Sequence, residues 1–284
     1  MKRTWRAMLA WFAVVTALAA CGGNEDDEKP AVNGMVATSA AYGATAAWTV
    51  SGLNLDQGIG FIITAGRCDD LVEVAGGTAS QRRYTCRPVT VGELVGQVND
   101  AGGGRLANLR VIIPTPVVRL SLEQGTIEIE LIPENAPLTV QNFLGYVNEG
   151  FYDNTLFHRV IKDFVIQGGG FAPGDPDPEP LTPTQPAIAL ESNNGLSNLR
   201  GTLAMARTNV PNSATSQFFI NVVDNPLLDY QSEQQPGYAV FGKVTAGLEV
   251  VDAISVVETE SVPSLGLEDV PVTDVIITTA RQLR

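Results

Sequence analysis

Apolar and polar positions alternate along most of this chain, and helical spacing interrupts the alternation twice. Val118, Leu120 and Leu122 alternate with polar neighbours; beyond Glu123-Gln124-Gly125, Ile127, Ile129 and Leu131 alternate with Glu128 and Glu130. A period of two with acid on one face predicts a half-buried antiparallel hairpin. Pro137 then suits a first helical turn, Val140, Phe143, Leu144 and Val147 form one apolar stripe, and Gly150 ends it. Phe157 to Gln167 predicts two strands, and Phe171 to Pro186 is a Pro- and Asp-rich surface loop. Leu199 to Ala206, Gln217 to Val223 and Tyr238 to Phe241 read as strands, with a second helix near Leu248 to Ile254 and a closing strand at Val275 to Thr278. This is a mainly β pattern, and it fits a closed antiparallel β-barrel capped by two helices.

Residues 32–113 differ in texture. They are rich in Gly, Ala, Thr and Val, and Ala46 to Val50, Gly60 to Thr64 and Arg110 to Ile113 read as short strands between glycine-rich turns. The pattern predicts a small β-sandwich-like domain, with Trp48 as a candidate core residue beside a Cys68–Cys86 bridge. It holds no catalytic constellation; spacing or protein contact is its expected role. Residues 114–116, Pro-Thr-Pro, read as a stiff linker, and 117–284 as the second domain.

Charge narrows the partners. The chain has 284 residues and a formal net charge of −13. An acidic surface argues against nucleic acid and against electrostatic docking on anionic lipid. The N-terminus carries Lys2, Arg3 and Arg6 before an uncharged apolar run from Ala7 to Ala20. That run is short for a membrane span. Leu18-Ala19-Ala20-Cys21-Gly22 resembles a bacterial lipoprotein signal. The resemblance implies that residues 1–20 are removed and that Cys21 is acylated, which anchors the chain to a membrane of the cell envelope on its periplasmic side. Gly22, rather than Asp, points to the outer membrane. An ordinary secretory signal or an uncleaved anchor are the alternatives. Residues 21–31 form an acidic flexible tether. In an oxidising compartment Cys68 and Cys86 are expected to pair; two free buried thiols are the alternative. There is no Cys-x-x-Cys, and only one histidine, so no metal is expected.

The chemistry lies in two blocks. Phe157-His158-Arg159-Val160-Ile161-Lys162-Asp163-Phe164-Val165-Ile166-Gln167-Gly168-Gly169-Gly170 sets an arginine, a phenylalanine and a glutamine in an apolar segment. Gly201-Thr202-Leu203-Ala204-Met205-Ala206 and Ser216-Gln217-Phe218-Phe219-Ile220-Asn221 follow. By strand parity Gln217, Phe219 and Asn221 share one face while Phe218 and Ile220 enter the core. The reading is a shallow apolar pocket with an arginine at its rim.

From about Val117 to the C-terminus the chain resembles the cyclophilins, the peptidyl-prolyl cis-trans isomerases. That resemblance implies a barrel fold, isomerase activity on proline-containing unfolded or folding proteins, and no cofactor. It implies Arg159 as the catalytic residue and Phe164, Val165, Phe219 and Leu228 as the proline pocket. Gln167, Ala206, Arg207 and Gln217 would contact substrate backbone or support Arg159. Four positions depart from common family patterns. Val165 replaces methionine, and Arg207 replaces asparagine. Leu227 stands where many eukaryotic members carry the tryptophan important for cyclosporin, and Tyr238 where many carry histidine. Leu227 and Tyr238 are still expected to contact substrate. His158 points away from Arg159 by parity and is given no catalytic role.

Arg159 closing a buried ion pair is the structural alternative. Gly168-Gly169-Gly170 lacks the Lys-Ser/Thr of a phosphate loop. A hydrolytic triad would need His158 as its base. Asp175-Pro176-Asp177-Pro178-Glu179 lacks calcium-loop spacing. The rival functions are a proline-peptide-binding scaffold or chaperone module with little turnover, and an adhesion role for residues 32–113.

Overall fold

The computed structural model describes residues 29–38 and 40–284. The expected signal segment, Cys21 and most of the tether lie outside the described residues. The chain divides into two compact units between Pro114 and Thr115.

Among its described residues the first unit holds seven strands: β1 (Ala31–Thr38), β2 (Ala46–Leu53), β3 (Gly60–Ala65), β4 (Cys68–Glu73), β5 (Gln81–Pro88), β6 (Gly92–Asn99) and β7 (Arg105–Ile113). They form a four-stranded sheet, β1-β2-β5-β4, and a three-stranded sheet, β3-β6-β7. The two are tied by aromatic rings: Phe61 on β3 lies 5.3 Å from Trp48 on β2 and stacks at 4.7 Å on Tyr84 of β5. Trp48 thus meets Phe61 as its aromatic neighbour. Cys68 on β4 and Cys86 on β5 are disulfide-bonded, so the bridge lies within one sheet.

The second unit begins with β8 (Val117–Leu122) and β9 (Gly125–Leu131), followed by helix α1 (Pro137–Glu149). Next come β10 (Thr155–Leu156), β11 (Arg159–Ile161), β12 (Val165–Gly168), β13 (Phe171–Ala172) and β14 (Glu179–Pro180). The unit closes with β15 (Thr202–Met205), β16 (Phe218–Asn221), β17 (Val240–Ala246), α2 (Leu248–Ile254), β18 (Thr259–Val262), β19 (Leu267–Pro271) and β20 (Ile276–Gln282). Nine of these strands make one sheet in the order β10-β20-β8-β9-β17-β15-β16-β12-β11. Its two edge strands, β10 and β11, are separated in the chain by only Phe157 and His158. The sheet must therefore curl until its edges meet, and the barrel is completed by that covalent step.

The interior is built by the alternation. Leu120, Ile127, Ile129, Ile166, Leu203, Phe218 and Ile220 are all buried. From α1, Phe143 brings its ring within 5.2–5.4 Å of Tyr152, Phe218 and Phe241. Ala136 cannot cap α1 with its own side chain, so Glu191 does so from a distant loop, accepting from the backbone N–H of Leu138 at 3.1 Å and of Thr139 at 2.8 Å. At the other end Gly150, at φ 73°, takes the left-handed cap that a side chain would disfavour.

Several boundaries differ from the sequence reading. Phe157 to Gln167, read as two strands, contributes to β11 and β12, and a further short strand, β10, precedes them. Leu199 to Gly201 form a turn, closed by the Thr202 N–H to Leu199 carbonyl bond at 3.0 Å, so β15 begins later than the apolar run. The β18–β19 hairpin was not anticipated, because its strands carry Glu260, Glu268 and Asp269 rather than a clean apolar face.

Phe143→Ala is expected to lower the stability of the barrel unit by about 3–5 kcal/mol. Chemical denaturation of the full chain checks this, and a loss below about 1 kcal/mol would mean that the site collapses around the missing ring.

Candidate active site

Strand register assembles the site. Arg159 on β11 lies opposite Gln167 on β12, Gln167 opposite Phe219 on β16, Phe219 opposite Ala204 on β15, and Ala204 opposite Val240 on β17. These five residues form one row across five strands on the face away from the barrel interior. Val165, two residues before Gln167, shares that face. Val165, Ala204, Phe219 and Val240 pack as one apolar cluster, with Phe164, Leu228 and Tyr238 against it. The result is a hollow of about 220 Å³. Arg159, Gln167, Ala206 and Arg207 join the apolar residues in lining it.

Phe164 sits in the turn between β11 and β12, and its carbonyl is held twice, by the Val222 N–H at 3.0 Å and by Asn225 Nδ2 at 2.9 Å. Asn225 Nδ2 also donates to Asn221 Oδ1 at 2.8 Å, and Asn221 Nδ2 donates to Thr202 Oγ1 at 3.0 Å and Asn198 Oδ1 at 3.2 Å. Asn221 is fully buried in this network. It shares the parity of Gln217 and Phe219 as read from sequence, yet it braces the site from beneath instead of facing the hollow. Asn225 leads into a 3-10 turn, Pro226–Leu228, which delivers Leu228 to the wall. The Leu228 carbonyl accepts the Tyr238 N–H at 2.9 Å, fixing the opposite wall. Tyr238 meets Phe219 edge-on at 5.5 Å.

The two arginines differ in how they are held. Arg159 has its side chain 43% exposed, and Nε stands 3.8 Å from Asp269 Oδ2 on β19. This contact is too long for a hydrogen bond, and among the described residues the guanidinium donates to no protein acceptor. Its N–H groups are therefore available to a ligand. Arg207 is clasped instead: Nε and Nη2 donate to the Gly237 carbonyl at 3.0 and 2.8 Å, and Nη1 donates to the Thr208 carbonyl at 2.8 Å. Its guanidinium lies 4.7 Å over the Tyr238 ring. Gly237 accepts this clasp at φ 59°, where a Cβ would fall 2.5 Å from the Asp229 backbone.

Gln167 Nε2 donates to Gln217 Oε1 at 2.8 Å, and Ala206 N–H to the Gln217 carbonyl at 2.9 Å. Gln217 thus lies beside the hollow, in an adjoining recess. Leu227 is placed differently from the sequence expectation. It is 87% exposed and borders a separate, larger concavity, because the 3-10 turn aims Leu228 inward and Leu227 out. Asp269 was missed by sequence reasoning; an acid in an unforeseen hairpin gave no signal that it would stand beside Arg159.

A model of the family described as cyclophilin type peptidyl-prolyl cis-trans isomerase/CLD matches residues 117–282. The chain belongs to the cyclophilins. It is 53% identical over 168 residues to peptidyl-prolyl cis-trans isomerase cyp18 of Streptomyces antibioticus, covering 58% of this chain and 98% of that protein. It is 52% identical over 163 residues to peptidyl-prolyl cis-trans isomerase B of Escherichia coli, covering 57% and 96%. Isomerase A of Dickeya dadantii is 48% identical over 167 residues, covering 59% and 84%. The whole cyclophilin match falls in the second unit.

His158 of this cyclophilin is buried, with Nδ1 unpartnered, and its ring lies 4.6 Å from Phe171. Burial pushes its pKa from 6.5 down to about 4. Above 6.5 the ring is neutral in both folded and unfolded chains and costs nothing. As pH falls from 6.5 to about 4 the unfolded chain takes the proton first, so folding stability is lost across that window. The lost stability is on the order of 3 kcal/mol. In His158→Gln the loss between those pH values is expected to shrink; an unchanged slope in denaturation midpoints would place the titrating group elsewhere.

Proposed function

We propose that this cyclophilin accelerates rotation about X–Pro bonds by presenting the Arg159 guanidinium to the twisted amide while the apolar hollow holds the pyrrolidine ring. The imide bond has partial double-bond character and a barrier of about 18–20 kcal/mol. Uncatalysed rotation takes on the order of tens to hundreds of seconds, slow enough to limit folding. No covalent bond breaks and no proton must move. Twisting removes conjugation and localises the lone pair on nitrogen, which becomes a better hydrogen-bond acceptor than in the planar amide. A donor that meets the twisted amide better than the flat one lowers the barrier, because only differential binding accelerates the step. A guanidinium supplies that donor without changing protonation state.

The observation that carries this reading is the row Arg159–Gln167–Phe219, which sets beside an apolar floor a guanidinium that has no protein hydrogen bond among the described residues. Phe219, Val165, Phe164 and Leu228 take the ring. Gln167, Gln217 and the 206–208 segment take the flanking backbone, holding one side while the other turns. In this account the substrates are proline-containing exported or envelope proteins that are still folding. Cys21 is the lipid attachment site, and residues 32–113 space the catalytic unit from the membrane.

In a coupled isomerisation assay on a short proline peptide, Arg159→Ala is expected to lower kcat/KM by about 10²–10³-fold with folding intact. Peptide binding by Arg159→Ala should fall far less. If the unaltered protein binds proline peptides without accelerating their isomerisation, the site is a binding module and the catalytic reading fails. For the anchor, expression in a bacterial host should put the protein in the membrane fraction, and Cys21→Ser should release it or leave it unlipidated. Equal fractionation of the two, with no acyl group on Cys21, contradicts the lipoprotein reading.

A further inference from the structure

We propose that Arg207 makes this site select chains that carry an acidic side chain close to the substrate proline, an inference that rests on the isomerase site described above. A second recess of about 140 Å³ opens from the proline hollow. It shares Gln167 and Arg207 with the hollow and runs past Thr208, Ser213 and Thr215 to Gln217. Arg207 is the sole charged side chain that lines it.

The hydrogen-bond inventory of Arg207 gives it spare capacity. A guanidinium has five N–H donors. Three are taken, and all three go to backbone carbonyls, of Gly237 and Thr208. Two remain. Among the described residues no carboxylate stands within 4 Å of this guanidinium, unlike the paired Arg119, Arg200 and Arg281. A half-buried cation held only by neutral groups, on a protein of net charge −13, lacks a counterion that a substrate carboxylate can supply.

The far side of Arg207 has a different character. Arg207 also borders the larger concavity, but there it shares the lining with Asp229 and Glu233. Asp229 Oδ1 is engaged by the Asn198 backbone N–H at 2.6 Å and side-chain amide at 2.9 Å, which fixes that negative charge in place. An extended chain with its proline in the hollow therefore meets Arg207 unopposed on the recess side, and Arg207 together with Asp229 and Glu233 on the other. An acidic residue is favoured on the first flank and disfavoured on the second. The clasp on Gly237 sets the guanidinium beside the recess before any chain binds.

The test uses the full chain and proline peptides that differ at one position at a time, from two residues before the proline to two after, as Glu, Gln or Lys. At one flank kcat/KM should follow Glu above Gln above Lys, with Glu over Lys by about three- to tenfold at low salt. The ratio should shrink in 0.5 M salt, as screening requires (a Debye length of roughly 4 Å). Arg207→Gln is expected to abolish the order, and Arg207→Lys to keep it while losing the clasp; ratios within each variant cancel any general loss of activity. Equal rates for all three peptides at every position overturn the proposal, as does the same order surviving in Arg207→Gln. Absence of acceleration with every peptide would remove the isomerase reading itself, whereas acceleration without charge order removes only this one.

Discussion

The site depends on one constraint, the register of five antiparallel strands. Because Arg159, Gln167, Phe219, Ala204 and Val240 are direct cross-strand partners, their side chains emerge from the same face in a single row. A slip of one residue in any of these pairings would send Arg159 or Phe219 into the barrel interior. The inward-facing partners Val160, Ile166, Ile220, Leu203 and Phe218 are buried, so such a slip would also expose the core. The same hydrophobic alternation that stabilises the barrel therefore fixes the geometry of the outer face.

Around that row the chain uses polar groups to hold loops that the barrel does not hold. The Asn198–Asn221–Asn225 network ties the 3-10 turn and the Phe164 turn to β16. A buried amide left unpaired there would be costly, so the network specifies one arrangement of the pocket wall. Arg207 does the same on the other side through Gly237 and Tyr238. Arg207 thus gives three of its donors to the wall while Arg159 keeps its own for a ligand, a difference set by neighbours and not by residue type.

Much of this was legible in the sequence. Period-two alternation showed the β8–β9 hairpin, and the apolar stripe with Pro137 and Gly150 showed α1. The parity of Gln217, Phe218 and Phe219 separated outer face from core, because strand geometry leaves only two directions for a side chain. What was not legible depends on distant pairings. Asn221 has the outer-face parity of Phe219, but whether a loop covers it is decided by Asn198 and Asn225. Leu227 and Leu228 are indistinguishable in sequence; the 3-10 turn alone decides which one enters the hollow. Asp269 reaches Arg159 only because β19 lies beside β11, and nothing local to either segment encodes that. In the first unit, short half-exposed strands such as β4 carry too few apolar residues for periodicity to find them.

The central claim is that the Arg159 guanidinium, and not the hollow alone, meets the rotating imide. The most direct measurement is an NMR titration of protein labelled at arginine Nε with a proline peptide undergoing catalysed exchange. The account predicts that the Arg159 Nε–H resonance shifts and broadens together with the Gln167 and Phe219 amides, at the rate of peptide isomerisation. An Arg159 resonance that stays fixed while the amides of the hollow respond would contradict it.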